Sequence, residues 1–314
     1  MTDLVTLGET MAMLTAPRVG RLRDMRSLHV SAAGAESNVA IGVCRLGYGA
    51  AWIGRVGADE FGQMILAALR AEAVDVSRSV VDPAAQTGLM FKERRSPNVV
   101  RVTYHRRGLA GSRLCTGDID AGLIKAARVL HVTGITLALS ESAREAACEA
   151  AEIARSAGVL VSFDFNYRSA LWAPDEAAEH IRAMVARADL VFAGEDELAI
   201  VEPGDLLAGA RRLAGNGERT VIIKRGSRGA LCVTDDAVHE EPARSVVAVD
   251  PVGAGDAFVA GYLAATLDGL GQPARLAMGC ATGAHAVTVS GDWEGLPTRE
   301  DLMLWSQAEG TTIR

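Results

Sequence analysis

A glycine-rich stretch in the last third of the chain, Asp250–Asp256, has the residue types of a phosphate site. Gly253 and Gly255 permit positive φ and place no side chain between the backbone and a ligand. A β-like run at Ser245–Val249 precedes the stretch, and a helical pattern at Asp256–Leu267 follows it. Because a helix N-terminus exposes unpaired N–H groups and the positive end of a dipole, the turn is predicted to bind an anion.

Asp256 stands where this helix is predicted to begin. A plain N-cap, worth about 1 kcal/mol, is one interpretation. Asp250 precedes the same turn, however, so two carboxylates would lie beside a phosphate-binding element. In phosphoryl transfer an Asp orients the attacking hydroxyl and takes its proton, while amides and a metal neutralise the developing charge. Asp256 is therefore the candidate base, and an ordinary Asp pKa would be sufficient because the transition state is loose.

Gly34 and Asn38 lie in a segment of mostly small residues, Ala32–Ala40, at the start of a predicted helix. Gly34 allows a ligand to approach the backbone closely. Asn38 either caps the helix or donates hydrogen bonds to substrate hydroxyls, and the pattern leaves both open.

Polar side chains also follow a predicted buried strand, where Asp164, Asn166 and Arg168 come at its carboxyl end. In open α/β sheets ligands bind outside those ends, so these residues are candidates for binding. Glu195 and Glu197 stand at another helix start. They either help to hold Mg²⁺ through water or form a solvated acidic first turn.

The segment Lys224–Ala230 joins two predicted strands. Its Gly226, Ser227 and Gly229 either contact nucleotide phosphate or ribose or form an ordinary hairpin turn. The sequence has no GxxxxGK[ST] pattern, and no GxGxxG opens its first strand–helix unit. A P-loop nucleotide hydrolase and a dinucleotide-binding dehydrogenase are therefore disfavoured.

Short β-branched runs alternate with alanine-rich helical stretches along the chain. The predicted strands are Leu4–Leu7, Ala51–Val56, Val129–Val132, Val159–Asp164, Leu190–Phe192 and Thr220–Lys224. The predicted helices are Ser37–Leu46, Phe61–Ala71, Glu141–Ser156, Asp175–Ala186, Leu206–Ala214, Asp256–Leu267 and Pro273–Val287. This alternation predicts a mostly parallel sheet covered by helices on both faces.

Two insertions, at about 19–32 and 87–107, interrupt this alternation. The second reads as a β-hairpin, with strands around Gly88–Arg95 and Val99–His105 and a turn at Ser96-Pro97-Asn98. We expect strands inserted into a single domain of residues 1–314 that form a small lid over the site or a surface for homo-oligomers. An edge extension of the main sheet is the alternative.

Bulk composition limits the function classes. The chain has 314 residues, is 49% hydrophobic and carries a net charge of −7. No dense Lys/Arg block is present, so a nucleic-acid partner is not expected. No run resembles a membrane span or a signal peptide, and the five scattered cysteines suit a reducing compartment, so a cytoplasmic location is expected.

Together these residues resemble the ribokinase-like (PfkB) carbohydrate kinase family over nearly the whole chain. The resemblance is carried by Ala33–Gly47 and Asp250–Asp256, with Gly54–Gly62 and Lys224–Ala230 in support. It implies a three-layer α/β sandwich with a mostly parallel central sheet and a small β-strand lid. It also implies ATP and Mg²⁺ as cofactors, Asp256 as the base, and the amides of Gly253, Ala254 and Gly255 as an anion hole. Gly194 stands where the family usually has Asn, three residues before a retained Glu197.

Within the family, the details are most similar to kinases that act on 2-keto-3-deoxygluconate. The similarity covers Gly34–Asn38, Tyr104–Arg106, Asp164–Arg168 and Gly291–Pro297. A keto-acid sugar carries a carboxylate, which needs a cationic partner, and Arg106 and Arg168 are the candidates. The predicted substrate residues are Gly34, Asn38, Tyr104, Arg106, Arg168, Asp256 and Asp292. The predicted nucleotide residues are Asn166, Arg168, Lys224, Gly226, Ser227, Gly229, Gly253 and Gly255, with Glu197 as an indirect metal residue.

Three alternatives remain open from the residues and the resemblance. One is a related kinase of a neutral sugar, such as fructose or ribose, or of a nucleoside. Another is a non-catalytic protein that senses sugar or nucleotide on the same fold. The last is an unrelated α/β enzyme.

Overall fold

Fourteen strands and eleven α-helices make up the part of the chain that the computed structural model describes, residues 2–96 and 99–307. The strands are β1 (Leu4–Leu7), β2 (Met11–Thr15), β3 (His29–Ala33), β4 (Ala50–Ile53), β5 (Arg55–Gly57), β6 (Val80–Asp82), β7 (Leu89–Ser96), β8 (Val99–His105), β9 (Val129–Thr133), β10 (Leu160–Asp164), β11 (Leu190–Gly194), β12 (Thr220–Lys224), β13 (Ala230–Val233) and β14 (Val238–Glu241). The helices are α1 (Ala35–Arg45), α2 (Glu60–Ala71), α3 (Ala121–Ala126), α4 (Gly134–Leu139), α5 (Glu141–Ser156), α6 (Pro174–Val185), α7 (Glu195–Val201), α8 (Leu206–Ala214), α9 (Ala254–Leu267), α10 (Gln272–Ala286) and α11 (Arg299–Gln307).

The main sheet has eight strands in the order β14-β13-β12-β11-β10-β9-β1-β4. The six from β12 to β4 pair in parallel, and β13 and β14 add antiparallel strands at one edge. The predicted mostly parallel sheet is therefore confirmed. Parallel strands present their carboxyl ends at one edge, so the residues after β10, β11 and β12 meet on that side.

Helices cover both faces of this sheet. One apolar cluster packs helices α3 and α5 to α8 on one face, and a second packs α1, α2, α9 and α10 on the other. Six alanines of α5 are fully buried: Ala143, Ala146, Ala147, Ala150, Ala151 and Ala154. Because α9 is apolar nearly all round, it is buried from Ala257 to Ala265 and forms the centre of the second layer.

A second sheet has the order β3-β2-β7-β8 and pairs with no strand of the main sheet. The predicted hairpin is confirmed as the antiparallel pair β7–β8, although Pro97 and Asn98 of its predicted turn lie outside the described residues. Met11, Met13 and Met90 form a small apolar cluster on this sheet. The alternative of an edge extension of the main sheet is wrong.

Two local predictions need correction. Ser245–Val249 forms no strand, so the glycine-rich stretch follows an irregular segment, where Val247 is 85% exposed. The predicted strand Ala51–Val56 is two strands, β4 and β5, and β5 pairs with β6 instead of continuing along β1. The chain leaves the main sheet at Gly54, where a side chain would collide with the Trp52 ring and the Gly8 carbonyl.

No helix among residues 2–96 and 99–307 is both long and apolar enough to span a membrane.

Candidate active site

Close packing of α1 against α9 sets the position of the candidate base. A Cβ built on Gly42 would lie 2.6 Å from the Cβ of Ala260, so this approach requires a glycine on α1. Asn38 lies about one helical turn before Gly42, and Asp256 one turn before Ala260. The two side chains consequently meet, and Asn38 Nδ2 donates to Asp256 Oδ2 at 2.9 Å.

Asn38 joins two carboxylates. Its Nδ2 also donates to Asp292 Oδ2 at 2.9 Å, while its Oδ1 is buried and has no partner among the described residues. Gly34, not Asn38, is the N-cap of α1, so the interpretation of Asn38 as a cap is wrong. This buried oxygen is thus an unsatisfied acceptor within the described residues.

Asp256 is not a cap either, because the N-cap of α9 is Gly253 and Asp256 is the third helical residue. Burial raises the pKa of Asp256 to about 7, with the nearby Asp292 carboxylate adding to the rise. The hydrogen bond from Asn38 and the charge of Lys224 oppose that shift. The pKa is thus above the ordinary Asp value that would be sufficient for a loose transition state, because the carboxylate is partly desolvated and lies near a second acid.

The turn before α9 is shaped by one glycine with positive φ. Gly253 has φ +79°, and a Cβ there would lie 2.0 Å from the carbonyl oxygen of Asp292. Gly255 lies inside α9 without positive φ, contrary to the prediction, and its Cβ position is 3.5 Å from Lys224 Nζ. The first turn of α9 and the Lys224 ammonium therefore present positive charge to the same space.

The carboxyl end of β10 supplies further polar groups. Lys224 Nζ lies 2.8 Å and 2.6 Å from the two carboxylate oxygens of Asp164. Burial opposes a charged lysine, yet the carboxylates of Asp164, Glu197 and Asp256 raise the pKa of Lys224 overall. Asn166 has φ +40°, and its Nδ2 lies 3.5 Å from Asp256 Oδ1. Such a strained conformation in a non-glycine residue is characteristic of functional sites.

A cavity of about 90 Å³, partly open to solvent, lies between the second sheet and the N-termini of α1 and α9. All seven residues predicted to bind substrate line it: Gly34, Asn38, Tyr104, Arg106, Arg168, Asp256 and Asp292. Sequence reasoning missed other lining residues, namely Glu9, Met11, Ala33, Ala35, Glu36, Met90, Val102, Ile135 and Val252.

The two predicted carboxylate-binding arginines differ in their surroundings. Arg106 is buried, and its Nε and Nη2 each lie 2.5 Å from Glu9 Oε2, with the guanidinium 5.4 Å from the centre of the Tyr104 ring. Burial raises the pKa of Glu9, while Arg106 lowers it. Arg168 is exposed, donates to the carbonyl of Tyr167, and has no acidic partner within the described residues. Arg168 is therefore the cation whose charge is not already balanced.

Glu36 is a second buried acid of the cavity. It accepts hydrogen bonds from Thr133 and Thr136 at 2.6 and 2.5 Å, and its Oε2 has no partner in the described ranges. Burial raises the pKa of Glu36. Its place inside the N-terminal motif, two residues before Asn38, was a signal that it belongs to the site.

The predicted nucleotide residues of the 224–230 segment lie outside the cavity lining. Gly226 and Ser227 are exposed on a turn between β12 and β13, and Gly226 has φ +56° with open space around it. Gly229 is buried, and a Cβ there would lie 1.9 Å from the carbonyl oxygen of Glu241. The hairpin itself therefore requires Gly229, whereas Gly226 and Ser227 are accessible to a ligand.

Glu197 uses both of its carboxylate oxygens on backbone amides. The N–H of Gly194 donates to Oε2 at 2.6 Å, and the N–H of Tyr167 donates to Oε1 at 2.8 Å. Glu195 instead forms an ion pair with Arg228. Within the described ranges, no group of three or more His, Cys, Asp or Glu residues could hold a metal ion.

Comparisons with known proteins match nearly the whole chain. A model of the pfkB family of carbohydrate kinases matches residues 1–299. The 2-dehydro-3-deoxygluconokinase of Bacillus subtilis (strain 168) is 38% identical over 320 residues, which cover 98% of this chain and 97% of that protein. The 2-dehydro-3-deoxygalactonokinase of Haloferax volcanii is 36% identical over 293 residues, 92% of each. A ribokinase-like protein from E. coli, solved in complex with ATP and Mg²⁺, superposes with a TM-score of 0.90 at 25% identity and covers 98% of this chain and 99% of that one.

Proposed function

The chain belongs to the pfkB family of carbohydrate kinases, and we propose that it transfers the γ-phosphoryl group of ATP to the 6-hydroxyl of 2-keto-3-deoxygluconate. One observation carries this proposal. The half-buried Asp256 carboxylate, with its raised pKa, stands at the start of α9 in a cavity that is also lined by Arg168, which has no acidic partner in the described ranges. A base, an anion-binding helix end and a cation for a carboxylate are the groups that this reaction needs.

Asp256 acts on the acceptor hydroxyl. Its Oδ atoms accept the hydroxyl proton while the hydroxyl oxygen forms a bond to the γ-phosphorus, and the bond from that phosphorus to the bridging oxygen of ADP breaks. Asn38 holds the Asp256 carboxylate by a 2.9 Å hydrogen bond and so aims it into the cavity. The amides of Gly253, Ala254 and Gly255 and the ammonium of Lys224 would stabilise the negative charge of the transferring group.

ATP and Mg²⁺ are the proposed cofactors, in agreement with the E. coli relative solved with both. Bound Mg²⁺ would neutralise charge on the phosphate oxygens. Exposed Gly226 and Ser227, together with Asn166, Arg168 and Lys224, remain the residues proposed for the nucleotide. Glu197 is proposed to act on the metal indirectly, through water, and its two oxygens each already accept from a backbone amide, of Gly194 and of Tyr167.

The acidic substrate is favoured over a neutral one by the arrangement of charges. Arg106 is balanced by Glu9, whereas Arg168 lines the cavity without an acidic partner in the described ranges. A carboxylate bound by Arg168 would gain a charge-assisted, bidentate interaction that fructose or ribose cannot supply.

Turnover with a panel of sugars tests this function. ADP release should be measured with ATP and Mg²⁺ in the presence of 2-keto-3-deoxygluconate, its galacto epimer at C4, fructose and ribose. We expect the highest kcat/KM with a 2-keto-3-deoxy sugar acid. Equal or higher kcat/KM with fructose or ribose would contradict the acidic substrate, and ligand binding without turnover of any sugar would indicate a sensor.

The second sheet is proposed to act as a lid and as the contact of a homo-oligomer. Its edge strand β8 leaves one row of backbone groups without a strand partner, and Val99 and Val30 on β8 and β3 are 52% and 47% exposed. Unprotected edges of this kind favour pairing with another chain. Light scattering after gel filtration measures the mass, and Val102→Pro on β8 should convert the oligomer to the monomer.

A further inference from the structure

Lys92 is a buried lysine that phosphoryl transfer, as described above, does not use. It lies on β7 of the second sheet, and its Nζ reaches the catalytic layer at 2.5 Å from Asp250 Oδ2 and 3.2 Å from the Gly291 carbonyl oxygen. The side chains of Lys92 and Asp250 are only 4% and 1% exposed. An ammonium from one sheet therefore ends between two turns of the other layer.

Asp250 holds these two turns together. Its Oδ1 accepts from the N–H of Val252 and its Oδ2 from the N–H of Gly291, both at 3.3 Å. The Asp292 carbonyl in turn occupies the space where a side chain of Gly253 would lie. The turn before α9 and the turn that carries Asp292 are thus both held by hydrogen bonds to Asp250, which in turn pairs with the Lys92 ammonium.

The choice of lysine is unusual for this chain. Only Lys92, Lys125 and Lys224 are lysines among 32 basic residues, so 29 are arginines. Lys125 is exposed, whereas Lys92 is buried and Lys224 is half-buried at the site. A compact ammonium suits a small cage of a carboxylate and a carbonyl, which a planar guanidinium would not fit.

A second contact ties the same strand to the same segment. Arg94 Nη2 donates to the carbonyl of Val249 at 2.6 Å, directly before Asp250. Strand β7 therefore holds the irregular segment that leads into α9 at two consecutive residues. This segment has no strand of its own to fix it, since residues 242–250 pair with no sheet.

We propose that Lys92 is a positioning residue for the phosphoryl transfer: its ammonium, carried by the second sheet, holds the Asp250 and Gly291 turns in the geometry that aims the α9 amides and Asp292. Catalysis is thereby tied to the position of the second sheet, because the turn keeps its shape only while β7 supplies this charge. The inference rests on the proposed kinase function.

Removal of the ammonium and its return from solution test the role. In Lys92→Ala we expect kcat to fall about 100-fold, as a small displacement of reacting groups can cause, while the dissociation constant of the sugar changes little. n-Propylammonium, the fragment removed, should restore kcat at least about tenfold, because it returns an ammonium of the same size to the space that Lys92 leaves beside Asp250. Tetramethylammonium at the same concentration should not restore kcat, because it is too bulky for the space beside Asp250. Lys125→Ala is the matched control and should behave as wild type with either salt.

A folded Lys92→Ala protein that propylammonium does not restore would overturn the proposal, as would a kcat equal to that of wild type. If this variant does not fold, Lys92→Met combined with Asp250→Asn removes the unpaired buried charge. Under the proposal this double variant is stable but keeps the low kcat. If the double variant is stable and its kcat returns to the wild-type value, Lys92 has a merely structural role.

Hydrogen exchange separates this proposal from the proposed function. The amides of Val252 to Gly255 and of Gly291 should exchange faster in Lys92→Ala than in wild type, and propylammonium should slow them again, whichever sugar is the substrate. Unchanged exchange at these amides would overturn the positioning role even in an active enzyme. A wild type that phosphorylates no sugar would refute the proposed function alone.

Discussion

Asp256 is held by Asn38 and lies half-buried near Asp292, which makes it both well aimed and basic. Asp256→Asn keeps the size of the side chain and its contact with Asn38 but cannot take a proton. We expect kcat to fall about 10²- to 10⁴-fold, the range for loss of a general base, with the sugar dissociation constant nearly unchanged. Initial rates measure kcat, and calorimetric titration measures the dissociation constant of the sugar. Asp196→Asn, at an exposed position on α7, is the control, and turnover of Asp256→Asn near the wild-type level would rule out Asp256 as the base.

The same carboxylate predicts how activity depends on pH. Because the pKa of Asp256 is raised to about 7 and only its charged form accepts a proton, kcat/KM should rise with pH through neutrality and then level off. The Asp292 carboxylate contributes to this raised pKa, so Asp292→Asn should move the rise to lower pH. Profiles of kcat/KM for both proteins check this. A profile that is flat across neutral pH, or a shift to higher pH in the variant, would contradict the assignment.

Arg168 is predicted to recognise the carboxylate of the substrate. Since a hydrogen bond to a charged group contributes about 1.5–3 kcal/mol, Arg168→Ala should raise KM for the sugar acid roughly 10- to 100-fold. KM for any neutral sugar that the enzyme accepts should change far less. Arg168→Lys keeps the charge, so its KM for the sugar acid should lie between those of wild type and Arg168→Ala. An equal loss for acidic and neutral sugars would mean that Arg168 does not bind the carboxylate.

At the scale of elements, the spacing between α1 and α9 is predicted to set kcat, because it determines how Asn38 meets Asp256. Gly42→Ala places a methyl group against Ala260 and should push Asn38 away from Asp256, lowering kcat about 10- to 100-fold. Adding Ala260→Gly to the same protein frees that space and should restore most of kcat. Gly122→Ala on α3, at an exposed helical glycine, is the control. If Ala260→Gly restores nothing, the spacing of the helices does not set the geometry of the base.

Most helices and central strands could be predicted from sequence, because each is a local pattern. The predicted bounds of β1, β12, α5 and α8 agree with the structure, since buried apolar runs and caps define them within a few residues. Strand β2 was missed because it pairs with β3 and β7 in the second sheet and so lies outside the strand–helix alternation that predicts the main sheet. The supposed strand at Ser245–Val249 has the right residues but no strand to pair with.

Several motif residues that the sequence singles out lie together in one cavity, but the sequence does not give the charge balance of that cavity. Motif residues such as Gly34, Asn38 and Asp256 do line one cavity. The pairing of Arg106 with Glu9 joins residues 97 positions apart, and that of Lys92 with Asp250 joins residues 158 apart. Local spacing contains no information on such contacts, so it could not tell a neutralised arginine from an available one.

The whole molecule encloses its cavity with parts of both sheets. Met90 and Tyr104 come from the second sheet, while Gly34 and Asp256 belong to the helical layer of the main sheet. A sugar bound here contacts both parts and must be lost before they separate, so binding stabilises the native state as a whole. For one site, a ligand at about 100 times its Kd adds about 2.7 kcal/mol to the free energy of unfolding.

Scanning calorimetry can therefore identify the substrate without turnover. We expect 2-keto-3-deoxygluconate to raise the Tm of wild type and of Asp256→Asn alike, because that variant keeps the binding contacts. Arg168→Ala should need far more of the sugar for the same rise, since the unbalanced cation is gone. Fructose at equal concentration should raise Tm little. An equal rise with fructose would mean that the cavity does not select for a carboxylate, and no rise with any sugar would place the binding site elsewhere.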